Sequence, residues 1–170
     1  MKKNDRISIL VSQLPAGAAT GSALDPHYTS YFTCFNARRY YDAHDVLEHL
    51  WLQCRDENAL FYKGLIQVAG AFVHLQKQFL HPLHPKHGRR LRPASRLFQL
   101  GAKSLAPFAP HHLHLDVEAL CLRCAHLSME IIAADYARNP WHPAHAPELR
   151  LGEETRNPKS EIRNKAEGNV

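Results

Sequence analysis

The residues best equipped for chemistry in this chain are histidines and carboxylates at helical spacing. Within FNARRYYDAHDVLEHLW, residues 35–51, His44 and Glu48 stand four apart, with Asp45 alongside. Positions i and i+4 of a helix are neighbours, so Tyr40, His44, Leu47, Glu48 and Trp51 form one stripe. A second segment, ENALFYKGLIQVAGAFVHLQKQFL, sets Gln67 and His74 two turns apart. They share a face with Gly64 and Ala71, where small side chains admit a close neighbour. A short connection makes the two helices antiparallel partners. The spacing therefore predicts that His44, Glu48, Gln67 and His74 converge in one enclosed polar cluster.

Three kinds of chemistry suit such a cluster. His44, Glu48 and His74 make a competent donor set for a divalent iron, zinc or manganese ion, with Asp45 or Gln67 as a supporting partner. A hydrolase- or oxygenase-like centre follows from that set. Without metal, burial would raise Glu48 and let it tune His44 as an acid–base pair. The third is structural: the groups hydrogen-bond one another, Tyr40 O–H and Trp51 N–H add donors, and the cluster fixes helix register. An unpaired buried polar group costs about 1–3 kcal/mol, so mutual satisfaction is the economical solution. A His four residues before a Glu is common by chance, and the Glu-x-x-His pair of di-iron bundles is absent. The structural role is preferred; whether the chain is an enzyme stays open.

The elements that would position these groups are helices. Asp25 and Pro26 open one over about 26–34. Asn36 is a candidate cap for a second, about 37–54, and Asp56 for a third, about 57–80, which Pro82 ends. The third is apolar nearly all round, which suits the middle of a bundle. HPLHPKHGRRLR, residues 81–92, is a polar loop. A fourth helix covers about 93–106, and Asp116 caps a fifth over about 117–138. No alternating strand pattern appears. The expected class is all-α: a compact single-domain bundle of about five helices spanning 25–138. A flexible lead over 1–24 precedes it, and a disordered charged tail over 139–170 follows. Phe98, Leu100 and Leu105 on the fourth helix read either as core or as a surface for self-association.

DPHYTSYFTCFNARRYYDAHDVLEHLW followed by KGLIQVAGAFVHLQ resembles the domain of unknown function 309 family, over about residues 25–136. The matching positions are Phe35, Asn36, Tyr40, Ala43, His44, Leu47, Glu48, Trp51, Gly64, Leu65, Ile66, Gln67 and His74. The resemblance implies a small all-α fold and a grouping of these polar residues; it implies no activity. The chain departs from the family's pattern at Asp45 and Arg38, and after His74, where the longer loop 81–92 and then Pro93 and Ala94 replace the family's usual Asn and Gly-Ala pair. Asp45 stands where a Glu is usual, and Arg38 where a Gly is usual.

Length and composition set the remaining bounds. At 170 residues with 45% apolar side chains, the chain can bury one core. Net charge is +5, and its distribution matters more: residues 58–115 hold no Asp or Glu against eight Lys and Arg. Lys86, Arg89, Arg90, Arg92 and Arg96 could meet phosphates of a nucleic acid or a phosphorylated ligand. No aromatics alternate with them to stack bases, and a solvated basic face is preferred. Of thirteen histidines, eight fall at 81–87, 111–114 and 142–145; these read as surface groups that bind metal adventitiously. Cys121 and Cys124 lie in an apolar periodic run, and all four cysteines are expected as reduced thiols. The start lacks a convincing signal peptide, and no stretch is long and apolar enough to span a membrane. A soluble, cytoplasmic protein is expected.

Overall fold

A computed structural model describes residues 3–13 and 24–152. Six α-helices follow one another: α1 (Lys3–Gln13), α2 (Pro26–Asn36), α3 (Tyr40–Gln53), α4 (Asn58–Leu80), α5 (Leu91–Leu105) and α6 (Val117–Ala133). A two-stranded antiparallel hairpin, β1 (His111–His112) and β2 (Leu115–Asp116), precedes α6. Strands this short carry no readable alternation. No helix among the described residues is long and apolar enough to cross a membrane.

Local chemistry opens and closes these helices. Pro26 takes the first turn of α2, and Asp25 Oδ1 accepts the His27 backbone N–H at 2.7 Å. Asp56 accepts from Asn58 N at 2.8 Å at the head of α4, and Asp116 from Ala119 N at 2.9 Å at the head of α6. The α2–α3 elbow is formed differently from expectation. Asn36 is the last residue of α2, not the cap of α3. The reversal falls on Arg38, at φ 61. That left-handed geometry favours glycine, and here an arginine takes it. Asp135 and Tyr136 also take positive φ, 46 and 59, and stop α6 short of 138.

The central helix is α4, with α3 on one side and α5 on the other; α2 packs on α3 and α6 on α5. Its Phe72 is the hub. That ring stacks on Tyr40 at 5.1 Å and meets Phe35 and Phe98 edge-on at 5.0 and 5.2 Å, each such pair adding about 0.5–1.5 kcal/mol to its burial. Phe98 and Leu105 are wholly buried core, while Leu100 is exposed. Toward α5 two glycines replace side chains. A Cβ on Gly64 would stand 2.7 Å from Leu105 Cγ, and one on Gly101 would stand 3.0 Å from Val68 Cγ2. The two helices can approach this closely only because those atoms are missing.

Both ends of the bundle extend past the expected limits. The lead contains α1, whose Ile7 is buried and whose Leu10 packs on the core. So short a helix is marginal alone; docking supplies what its sequence does not. The glycine-rich remainder, 14–23, lies outside the described residues. At the other end, residues 139–151 form a strap across the bundle rather than a free tail. Trp141 and Leu149 are buried, and Asn139 Nδ2 donates to Leu75 O at 2.8 Å. Few large apolar residues occur there, but those few all face inward. Residues 153–170 lie outside the described part.

Candidate functional site

Three of the sequence-selected residues meet on α3. One potential ligand atom each from His44, Asp45 and Glu48 lies within 4.8 Å of the others. Asp45 is the most enclosed, its side chain 3% exposed against 31% for His44. Its Oδ2 accepts from the Arg6 guanidinium of α1 at 2.5 Å, and its Oδ1 lies 3.4 Å from His44 Nδ1. Arg6 also sits over the Tyr41 ring, 5.8 Å from its centroid. A stripe on α3 can therefore be polar because α1 lies against it and brings a cation.

The polar residues of α4 go elsewhere. Gln67 Oε1 accepts from Ser104 Oγ of α5 at 3.0 Å. His74 Nδ1 accepts from Arg90 Nη1 at 2.9 Å. Burial, reinforced by the charges of Arg90 and Lys77, holds the His74 imidazole down at about 4. The expected convergence of His44, Glu48, Gln67 and His74 is thus not what forms. Helices α3 and α4 are neighbours as predicted, but α4 is sandwiched. Its Gly64–Gln67 face takes α5, and α3 meets its aromatic side through Tyr40 and Phe72. Asp45 replaces His74 beside His44 and Glu48.

Tyr40 also leaves the cluster. Tyr40 is buried, and its hydroxyl accepts from Trp141 Nε1 at 3.0 Å; the tryptophan that serves it comes from the strap. Trp51 is half-buried against the core. The residue that sequence reasoning missed is Arg6. The only signal was a base three and four residues ahead of an apolar pair in the lead, Arg6 before Ile9 and Leu10.

Other reactive side chains are structural. Burial pushes the Cys34 thiol up to about 11 and Cys124 up to about 12, so both are protonated packing groups. All four cysteines are free thiols. Burial also raises Tyr28 and Tyr31, which donate to the carbonyls of Leu113 and Leu65 at 3.0 and 2.9 Å. Among the surface histidines, His112 ties the hairpin to α4 through Asn58 Oδ1 at 2.7 Å.

A family model for a domain of unknown function (DUF309) matches residues 28–82. That segment runs from the first turn of α2 past the end of α4 and contains every position on which the resemblance rests; it is shorter than the expected 25–136. No curated protein and no solved structure matches the chain.

Proposed function

We propose that this chain, whose residues 28–82 match the model of the family of unknown function DUF309, is a non-catalytic helical domain whose His44–Asp45–Glu48 group seats the N-terminal helix. One observation carries this: the enclosed Asp45 carboxylate takes the guanidinium of Arg6 from α1. Burying a carboxylate costs several kcal/mol unless a partner compensates, and Arg6 is that partner. Among the described residues no buried side-chain nitrogen or oxygen lacks a hydrogen bond, which suits a seam built for packing.

A second function is favoured by the donor geometry. One imidazole and two carboxylates within 4.8 Å are a ligand set for zinc, iron or manganese. A divalent ion there would compete with Arg6 for Asp45, so metal entry would loosen α1. The test compares metal content in tag-free protein purified without chelators, in the parent, Glu48→Ala and Arg6→Ala. The seam is supported by a metal-free parent together with faster proteolysis of α1 in Arg6→Ala. Near-stoichiometric metal, lost in Glu48→Ala and kept or raised in Arg6→Ala, replaces the seam with a metal centre.

A further inference from the structure

The loop between α4 and α5 gathers cations around Arg90. Its guanidinium is held by two imidazoles: Nε donates to His87 Nδ1 and Nη1 to His74 Nδ1, both at 2.9 Å. His84 Nδ1 accepts two backbone N–H groups, from Lys86 and His87, at 3.1 Å each. The His84 and His87 rings stack at 4.3 Å, and His81 lies 5.7 Å from His87.

The hydrogen bonds fix the tautomers. A guanidinium or a backbone N–H can only donate, so Nδ1 of His74, His84 and His87 must each be the acceptor. In the neutral ring the proton then resides on Nε2. Each imidazole keeps one polar atom outside these bonds, and it is a donor. This works against metal capture by these histidines, since Nε2 has no lone pair to give in that tautomer. An acceptor, by contrast, finds donors ready.

The charge balance points the same way. Arg90 spends its bonds on neutral nitrogens, and Lys86, Arg89, Arg90, Arg92 and Arg96 form no ion pair among the described residues. The charged side chains acting on both His74 and His87 are Arg90 and Lys77. No carboxylate is among them. The stacked His84 and His87 rings, each with a free Nε2–H and, among the described residues, no carboxylate beside them, define a place for an oxyanion.

We propose that the α4–α5 loop binds the phosphoryl group of a small phosphorylated compound, through the Nε2–H groups of the stacked His84 and His87, with Arg90 holding the His87 ring from its Nδ1 side and Lys86 and Arg89 adding charge. A small ligand is favoured over a nucleic acid because the aromatic rings here are already engaged: His84 and His87 stack on each other, and the nearby Tyr136 ring lies under Arg92, whose guanidinium carbon is 4.1 Å from its centroid. Free phosphate and a phosphate monoester share this chemistry.

The test titrates full-length protein at low ionic strength with inorganic phosphate and with glycerol phosphate, by calorimetry and by NMR of the histidine ring signals. Saturable binding is expected, with shifts at His84 and His87 and an affinity loss of about tenfold in Arg90→Gln. Since Arg90→Gln also disturbs the loop, Lys86→Gln and Arg89→Gln, both on the exposed surface, provide the second measure. Each should weaken binding a few-fold without altering thermal stability, while Lys103→Gln leaves it unchanged. The tighter of the two ligands identifies free phosphate or an ester as the source. Absence of saturation, equal weakening by Lys103→Gln, or binding of duplex nucleic acid without a response to either phosphate overturns the proposal. None of these outcomes bears on the α1 seam.

Discussion

Asn36 uses both polar atoms of its side chain on the backbone of Leu149, accepting from its N–H and donating to its C=O at 2.8 Å each. The two residues are 113 positions apart, and the pairing works like one rung of a sheet. Arg38 Nη1 adds a bond to Pro143 O at 2.8 Å, and Tyr40 receives the Trp141 indole. The α2–α3 elbow is thus the anchor of the strap.

That anchorage makes the strap part of the stability unit. Asn36→Ala should cost about 1–3 kcal/mol, since it removes two partly buried hydrogen bonds. Trp141→Ala should cost about 3–5 kcal/mol by vacating a core site. Chemical denaturation measures both. Variants as stable as the parent, with unchanged proteolysis over residues 139–152, would return this segment to the status of a tail.

The α4–α5 crossing depends on a missing methyl. Gly64→Ala should destabilise by about 1–3 kcal/mol, because its Cβ would press on Leu105 Cγ and Cδ2 at 2.7 and 2.9 Å. Leu105→Ala, costly alone, should be less costly on the Gly64→Ala background, a coupling readable in a double-mutant cycle. Additive effects would mean the helices shift apart instead.

Acid should find His74. Its folded-state pKa of about 4 lies below the ordinary 6.5, so the unfolded chain takes up a proton that the folded chain refuses. Stability from this residue is fully present above pH 6.5, falls as pH drops toward about 4, and levels off below. The groups responsible are the burial of the ring and the charges of Arg90 and Lys77. His74→Gln keeps an acceptor for Arg90 and does not titrate. The parent should therefore lose stability relative to it between pH 6.5 and 4, by less than about 1.4 kcal/mol per pH unit given the partly exposed ring. Parallel curves would show that the imidazole is not so held.

The sequence by itself determined the helical class, the helix caps at Asp25 and Asp116, the Asp56 turn that leads into α4, and the central place of an all-round apolar α4. These are local or periodic properties, and each needs only neighbours within a turn or two. It also singled out the three α3 groups that meet, since His44, Asp45 and Glu48 share one turn of one helix. Tertiary structure decided which helix each polar face would meet. Gln67 and His74 lie on a face that could serve α3 or α5; the missing Cβ atoms of Gly64 and Gly101 give it to α5, and so to Ser104 and Arg90. It also decided the fate of both ends. Ile7 sits on a helix too short to hold alone and Trp141 has few apolar neighbours in sequence; both are held because the finished bundle offers each a surface. Arg6, the cation that answers the polar stripe, becomes visible only once α1 is seated.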